Sequence, residues 1–385
     1  MHLLDNPIRS DQLLEKTFDI DHRFYASSSE PLDLQELINW TIENGDQELV
    51  DLMHDHSLGY ADNGGSQDIR AEIATLYDDS ITEDNIVIFP GAQTGMTLTA
   101  LAMIHDGDHA IVVTPSYQSL EEGIKYAGGD VTRIGLTPED NWQVNVDAVK
   151  AAIRSNTKYL VFNDPHNPSG SLMKPEIKSE LVKLAEEHGF HVFSDEVYRL
   201  LEINPDDRSA SVAEMTKNGL ALGTMAKPWG AGGCCVGWVA CQDIDVIRKL
   251  QKAQHLFAVC VSRTGEIQAR MVIRASDKII ERNMNIINEN LVLLDQFFDE
   301  YSDLFEWMRP EASGTGFVKF KGPMTSNELA EELLEVGILV FPSYIFDCDE
   351  SQKQYFRIGF SRKTMPAALD AFKTFVDERK ESWKS

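Results

Sequence analysis

Short runs of apolar residues alternate along most of the chain with stretches whose apolar residues recur at helical spacing. The apolar runs have the length expected of buried strands, and a helical pattern such as Lys174–His188 follows one of them. The predicted strands are Ile86–Phe89, Ala110–Val113, Asp130–Ile134, Tyr159–Phe162, His191–Phe193 and Leu220–Leu222. Strands that alternate with helices are typical of a mostly parallel sheet covered on both faces, so this pattern predicts an α/β fold.

The pattern changes near residue 265, where one long apolar stripe begins. Its members are spaced by three or four residues and predict a single long helix: Ile280, Met284, Ile287, Leu291, Leu294 and Phe298. Beyond this stripe, Gly316–Lys321 and Gln354–Phe360 have the pattern of strands, with a predicted helix at Ser326–Val336 between them and a short apolar run, Ile338–Phe341, after it. These elements predict a second, smaller α+β unit that the long helix joins to the first.

The first 40 residues contain little sign of a strand before Phe24–Ser28. Because chain termini often lie close together, we expect this segment to pack on the C-terminal unit. The sequence therefore predicts three parts: an N-terminal segment, 1–40; a large domain, 41–265; and the long linking helix with the small domain, 266–385.

Composition limits the classes of protein to which the chain can belong. Its 385 residues are 43% apolar, enough for a large core, and carry a net charge of −27. That charge disfavours nucleic acid and anionic membranes as partners and is typical of a highly soluble protein or one adapted to salt. No apolar run approaches the ~18 residues of a membrane span, and the N-terminus lacks the apolar core of a secretory signal.

The cysteines indicate a reducing compartment. There are 5, an odd number, and no CxxC pair occurs among them. This argues against a disulfide framework and against a zinc site, so we expect a cytoplasmic protein with no structural metal.

Polar motifs follow three of the strands in turn: Asn167–Gly170, Ser194–Tyr198 and Thr224–Lys227. In an open α/β sheet, ligands bind beyond the carboxyl ends of the strands, so these loops are expected to meet. A carboxylate can hold the proton on a pyridine nitrogen, amide and phenol groups can donate to a ring oxygen, and a lysine amine can bond an aldehyde. This combination points to pyridoxal phosphate as the cofactor.

The motifs resemble those of the fold-type I aminotransferases, class I/II branch, from about Glu30 to Phe360. The matching segments are Asp164–Gly170, Ser194–Tyr198 and Ala226–Gly230. The resemblance implies the fold of those enzymes and assigns roles. Lys227 would form the Schiff base with the cofactor and move the catalytic proton, Asp195 would hold the pyridinium proton, and Asn167 and Tyr198 would donate to the ring oxygen. Tyr117 would lie against the face of the pyridine ring.

A glycine-bounded turn, Gly91–Gly95, precedes a helical run and offers free N–H groups to an anion. By the same resemblance it forms the phosphate site, with candidates Ala92, Gln93, Thr94 and Thr224. The segment that begins with Tyr60 matches an element whose tyrosine reaches the phosphate of the neighbouring subunit in relatives. The resemblance therefore implies a homodimer with shared active sites.

Arg357 matches the arginine that binds the substrate α-carboxylate, and its planar fork suits that task; Asn167 is the second substrate-binding candidate. One position departs from the family pattern. Cys235 stands where relatives carry an arginine that pairs with the phosphate, and a neutral thiol cannot replace that charge. Our hypothesis is that Arg263 of the partner subunit supplies it. A second departure is Ala226, where many relatives have serine.

The leading hypothesis is an aminotransferase that moves an amino group between an L-amino acid and a 2-oxo acid. The alternative keeps the cofactor but is a β-lyase or an amino-acid cyclase of the capreomycidine-synthase kind, to which the serines Ser27–Ser29 have a faint similarity. A transcriptional regulator built on this fold is disfavoured, because the region before Glu30 is too short for a DNA-binding domain. A binding module without cofactor is disfavoured because Lys227 and Asp195 are both present.

Overall fold

The computed structural model describes residues 9–15, 20–346, 348 and 350–383. Its strands are β1 Ile86–Pro90, β2 His109–Thr114, β3 Asp130–Gly135, β4 Thr157–Asn163, β5 His191–Asp195, β6 Gly219–Thr224, β7 Val236–Ala240, β8 Phe305–Trp307, β9 Thr315–Phe320, β10 Phe341–Pro342 and β11 Tyr355–Gly359. Its α-helices are α1 Arg9–Glu15, α2 Leu34–Glu43, α3 Gln47–His54, α4 Gln67–Ala74, α5 Ala92–Met103, α6 Ser119–Tyr126, α7 Val146–Ala152, α8 Pro175–His188, α9 Val212–Met215, α10 Ile244–Ala258, α11 Arg263–Arg274, α12 Ser276–Glu300, α13 Ser326–Glu335 and α14 Met365–Trp383. Within these ranges, no helix has both the length and the apolar character required to cross a membrane.

The large unit is built on a 7-stranded sheet with the order β1-β7-β6-β5-β4-β2-β3. All neighbours in it are parallel except β7, which is antiparallel to both β1 and β6. The six predicted strands are confirmed. The seventh, β7, was not predicted, because its short run of small and apolar residues follows the Gly- and Cys-rich turn at 230–235 without a break in pattern.

Both faces of this sheet are covered, because alternate strand residues point to opposite sides. On β1, for example, Val87 and Phe89 belong to one apolar core, whereas Ile86 and Ile88 belong to the other. Helix α8 shows how sequence sets an element's ends: Pro175 fits the first helical turn, and Gly189 ends the helix in the left-handed conformation at φ 71°. The α/β prediction is confirmed.

The small unit contains a 4-stranded antiparallel sheet with the order β10-β11-β9-β8. The long helix α12 leads into it, and α14 packs back on α12. The two predicted strands correspond to β9 and β11, and the predicted helix to α13. Strand β8 was not predicted, because its three residues are too few to show an alternating pattern.

The segment Phe24–Ser28, expected to be strand-like, contains no strand; this expectation is corrected. Its chain turns at residues 24–25, and contact with the small sheet is made by single main-chain hydrogen bonds. The N–H of Leu339 donates to His22 O at 3.0 Å, and the N–H of Gly359 donates to Phe24 O at 2.8 Å. Residues 20–28 therefore lie along the small unit without joining its ladder.

Two of the predicted domain boundaries fall inside helices of the large unit. Residue 40 lies within α2, which packs against α3 and α11, and residue 265 lies within α11, which packs against α3 and α4. The connection between the two units is therefore α12, which begins at Ser276.

Candidate active site

A cavity of about 520 Å³ lies at the carboxyl edge of the large sheet and extends to the small unit. Strands β1, β5 and β6 end at this edge, and the antiparallel β7 begins there. The lining residues are Ser10, Leu14, Tyr25, Ser27, Pro90, Gly91, Ala92, Gln93, Met96, Tyr117, Asn167, Asp195, Val197, Tyr198, Thr224, Ala226, Lys227, Gly232, Cys235, Val236, Phe341 and Arg357. Most of the predicted site residues are thus brought together.

Lys227 projects into the cavity from the turn that follows β6. Its Nζ donates to Ser27 Oγ at 3.0 Å and lies 5.6 Å from the centroid of the Tyr198 ring. The N-terminal segment is held against this turn, since the N–H of Ser29 donates to Lys227 O at 3.2 Å. Gly230 permits that approach, because a Cβ there would lie 2.1 Å from Glu30 O.

Asp195, the last residue of β5, is a buried carboxylate, 4% exposed. It accepts a hydrogen bond from the N–H of Val197 at 3.3 Å, and in the described part of the chain it forms no ion pair. Burial raises the pKa of Asp195 to about 7; the Val197 N–H and Lys227 oppose this rise. A positively charged donor bound beside it would restore its ionised form.

Asn163, which was not singled out in the sequence, ties the loops of two predicted site residues together. Its Nδ2 donates to Asp195 O at 2.5 Å, and its Oδ1 accepts from the N–H of Asn167 at 2.6 Å. Because Asn163 ends β4 beside β5, one side chain fixes the spacing between Asp195 and Asn167.

His166 performs a similar task on the other side of the Asn167 loop. Its Nε2 lies 2.9 Å from Pro115 O and therefore donates, while its Nδ1 lies 2.7 Å from Ser169 Oγ and accepts. Burial lowers the pKa of His166 to about 4, so the ring stays neutral at physiological pH. This bridge holds the loop that carries Tyr117 against the loop that carries Asn167.

Arg357 enters the cavity from β11 of the small unit and is 4% exposed. Its Nη1 donates to Asn167 Oδ1 at 2.9 Å and its Nη2 to Tyr25 O at 2.8 Å, while its Nε has no hydrogen-bond partner among the described residues. The guanidinium carbon lies 4.7 Å from the Phe341 ring centroid. Burial lowers the pKa of Arg357, and no described carboxylate pairs with it. A buried guanidinium without a counter-charge is suited to receive an anion.

The opposite end of the cavity is formed by the first turn of α5. The helix begins after Gly91 without a side-chain cap, so its first N–H groups are available, and both Ala92 and Gln93 line the cavity. Gly237 of β7 packs against this turn, because a Cβ there would lie 2.4 Å from Ala92 N. Thr224 also lines the cavity, as does the exposed thiol of Cys235.

Thr94 differs from the other phosphate candidates, because the structure places it outside the cavity lining. Its hydroxyl donates at 2.9 Å to the carbonyl oxygen of Pro90, the last residue of β1. The side chain is therefore engaged by the backbone rather than by the cavity, which the sequence spacing alone could not show.

Tyr60 and Arg263 also lie outside the cavity of their own chain. They line a separate surface concavity of about 420 Å³, and Tyr60 is 89% exposed there. Arg263 Nη1 lies 3.4 Å from Glu266 Oε2. Large apolar side chains in or near the same loops are exposed as well: Leu58, Leu256 and Phe257. The two residues predicted to act on a neighbouring subunit thus share one face.

Several lining residues were not among the predicted site residues. Ser10 and Leu14 come from α1, Tyr25 and Ser27 from the N-terminal segment, and Phe341 from β10. The sequence carried a signal only for Ser27, as part of a serine run. The others reach the cavity through contacts between segments far apart in the chain, which leave no local pattern.

The residues present fit pyridoxal 5'-phosphate. A lysine lines the cavity and can bond an aldehyde, a buried carboxylate suits a ring N–H, and an uncapped helix start suits a phosphate. A class of enzyme is thereby defined, namely the pyridoxal-phosphate-dependent enzymes of fold type I. Within it, the chain belongs to the aminotransferase class I and II family, whose sequence model matches residues 27–372. Its cofactor is pyridoxal 5'-phosphate.

Similar proteins bear names of two kinds. The chain is 26% identical over 313 residues to the probable aspartate aminotransferase of Methanocaldococcus jannaschii, covering 79% of this chain and 81% of that protein. It is 26% identical over 272 residues to the capreomycidine synthase of Streptomyces vinaceus, covering 70% and 68%. A crystal structure of a PLP-dependent aminotransferase from Streptococcus suis aligns with a TM-score of 0.90 at 26% identity, covering 98% and 99%.

Proposed function

We propose that this enzyme moves the amino group of an L-amino acid to a 2-oxo acid. The observation that carries this proposal is the placement of three charged groups in one cavity: Lys227, Asp195 and Arg357. Lys227 and Asp195 belong to the large unit, whereas Arg357 reaches in from the small unit.

Pyridoxal phosphate, when bound, supplies an aldehyde for the amino group and a ring that withdraws electrons from the substrate's α-carbon. Lys227 would hold the aldehyde covalently through its amine, and its free Nζ would take the proton from the α-carbon of a bound substrate. The hydroxyl of Ser27, 3.0 Å from that Nζ, orients it. Asp195 keeps a proton on the ring nitrogen, and the burial that raises its pKa also makes the resulting ion pair strong.

Arg357 binds the substrate's α-carboxylate and so fixes the face from which the α-proton is removed. Asn167 Oδ1 accepts from Arg357, which leaves the amide N–H groups of Asn167 to donate to the ring oxygen. Tyr198, buried beside Lys227, is the second donor to that oxygen, and Tyr117 packs against the ring face.

The phosphate is held by the first turn of α5, with the backbone N–H groups of Ala92, Gln93 and Thr94 as candidates, and by the Thr224 hydroxyl. We propose a homodimer in which Tyr60 and Arg263 of the partner subunit complete this end of the site. The support is their shared exposed face and the neutral Cys235 in the cavity. The five free cysteines support a reducing, cytoplasmic location.

An elimination or cyclisation reaction is the second candidate. The similarity to a protein named capreomycidine synthase favours it, together with a serine hydroxyl on the catalytic lysine amine. Such reactions begin with the same α-proton loss but return the cofactor unchanged, so they need no 2-oxo acid.

The deciding experiment mixes the cofactor-loaded enzyme with a panel of L-amino acids in the absence of any 2-oxo acid. A transaminase converts the cofactor to its amine form once, with a stoichiometric absorbance change, and turns over only when a 2-oxo acid is added. Continuous turnover without a 2-oxo acid, with release of ammonia or of a cyclic amino acid, would instead establish the second candidate.

A further inference from the structure

Helix α12 contains four asparagines, which its packing divides into two pairs. Asn283 and Asn290 are buried, with 0% and 4% of their surface exposed, whereas Asn285 and Asn288 are exposed. The buried pair is seven residues apart, so both side chains leave the helix on one face, among buried apolar residues. Burying an amide costs free energy unless it is hydrogen-bonded, and each member of the pair bonds a different unit of the protein.

Asn283 holds the turn that carries Lys227. Its Nδ2 donates to Pro228 O at 2.8 Å, and Pro228 is the residue directly after Lys227. Its Oδ1 accepts from Nη1 of Arg282 at 3.0 Å, which keeps the amide nitrogen turned toward Pro228. The main chain beside Lys227 is thereby fixed to the first half of α12.

Asn290 holds the segment that leaves the strand of Arg357. Its Nδ2 donates to two carbonyl oxygens, Phe360 O at 2.8 Å and Arg362 O at 2.9 Å. Phe360 is the first residue after β11 and stands three positions beyond Arg357. Both N–H groups of one amide are therefore bonded to this segment, which fixes the end of β11 to α12.

The two contacts are held apart by one rigid element. Seven residues of α-helix extend about 10.5 Å along the axis, and the segment between the two asparagines contains no glycine or proline that would bend it. Lys227 follows a strand of the large sheet, Arg357 lies on a strand of the small sheet, and in the described part of the chain the two sheets share no strand. Helix α12 therefore relates two groups that the pairing of sheet strands does not.

We propose that Asn283 and Asn290 are positioning residues, through which α12 sets the distance between Lys227 and Arg357. This rests on the proposed function, in which Arg357 binds the substrate's α-carboxylate and Lys227 takes the proton from its α-carbon. The carboxylate carbon and the α-carbon are bonded to each other, so proton transfer requires one particular separation of the two side chains. A misplacement of about 1 Å can slow such a step about 100-fold.

The test replaces each buried asparagine by leucine, which has a similar volume and favours helix but donates no hydrogen bond. The holoenzyme is mixed, without a 2-oxo acid, with increasing concentrations of an L-amino acid that converts its cofactor. The absorbance change at each concentration gives the dissociation constant and the maximal rate of the single turnover.

The two substitutions should affect different constants. Asn290→Leu should raise the dissociation constant at least about 10-fold, because it releases the strand that carries Arg357. Asn283→Leu should lower the maximal rate at least about 10-fold and leave the dissociation constant unchanged, because it releases the turn that carries Lys227. A loss of packing alone would not divide its effects between the two constants in this way.

A second readout does not involve turnover. Hydrogen–deuterium exchange of the cofactor-free enzyme should become faster at residues 226–231 in Asn283→Leu and at residues 358–363 in Asn290→Leu. The matched controls are Asn285→Leu and Asn288→Leu on the exposed face of the same helix, which should change neither the exchange nor the kinetic constants. If circular dichroism shows that a leucine variant does not fold, the alanine variant at that position removes the same donor without adding bulk.

The outcomes separate this inference from the proposed function. If Asn283→Leu and Asn290→Leu change the two kinetic constants alike, or behave as the exposed controls do, the positioning roles are overturned while the amino-acid site stands. If no L-amino acid changes the absorbance of the unmodified holoenzyme, the proposed function fails, and this inference fails with it.

Discussion

Replacing Asp195 by asparagine should make the cofactor-free enzyme more stable while it destroys cofactor binding. The side chain is buried, with its pKa raised to about 7 from the usual 3.8, so folding at pH 8 must bury a charge without an ion-pair partner among the described residues. Asparagine keeps an oxygen that can accept from the N–H of Val197 but carries no charge. The substitution therefore removes a cost of folding and retains the local hydrogen bond.

The magnitude follows from the pKa difference. A rise of about three units corresponds to roughly 4 kcal/mol of destabilisation once the group is ionised in both the folded and unfolded states. A carboxyl with a higher pKa in the folded state retains its proton longer there, so its contribution to stability falls as the pH rises from about 4 to about 7. Between pH 6 and pH 8, the advantage of Asp195→Asn should therefore grow by about 1.4 kcal/mol.

The assay is urea unfolding of the cofactor-free enzyme at pH 6 and pH 8, followed by circular dichroism, with Asp79→Asn on the exposed surface as the control. A second titration measures cofactor affinity, which should fall steeply for Asp195→Asn alone, because the ring N–H loses its anionic partner. An Asp195→Asn enzyme no more stable than the unmodified one at pH 8, or an advantage independent of pH, would refute the reasoning.

Three further predictions concern the remaining charged groups. Sodium borohydride should fix the cofactor to the peptide that contains Lys227, and Lys227→Ala should show no turnover; a label on another lysine would contradict the assignment. Arg357→Ala should raise KM for amino acids by orders of magnitude but change little for the corresponding decarboxylated amines, and equal losses for both would exclude carboxylate binding. Arg263→Ala should weaken cofactor affinity, and adding Cys235→Arg should restore it; unchanged affinity in Arg263→Ala would end the hypothesis of a partner-supplied charge.

The large sheet and the central cluster of the site could be predicted from sequence for the same physical reason. Apolar runs mark buried strands, and the residue that follows a parallel strand must emerge at one edge of the sheet. Asn167, Asp195 and Lys227 each lie at or just after the end of such a strand. The order of strands and loops therefore predicts that their side chains lie close together. Strand β7 was not predicted, because it follows a glycine-rich turn directly and is not preceded by the helix that separates the parallel strands.

The end of the cavity that α1 lines could not be predicted in this way. Leu14 lies more than 200 residues from Lys227 in the chain, and only the packing of α1 between Gln118 and Tyr344 places it in the same cavity. Thr94 shows the opposite case: its spacing in the turn suits a phosphate ligand, but its hydroxyl bonds the carbonyl oxygen of Pro90 at the end of β1. The local sequence pattern predicts the helices and strands. It does not predict which distant segment packs against a cavity, or which acceptor a side-chain hydroxyl bonds.

The large unit and the small unit both contribute residues to the cavity, and these residues have different proposed roles. Under the proposed function, Lys227 and Asp195 act on the cofactor from the large unit, whereas Arg357 binds the substrate from the small unit, where Phe341 also lines the cavity. Mutations in the small unit can therefore change which amino acid is accepted without disturbing the chemistry at the ring. Such a division allows the substrate to change while the catalytic residues stay the same. It also suggests that exchanging the small unit between relatives would transfer substrate specificity.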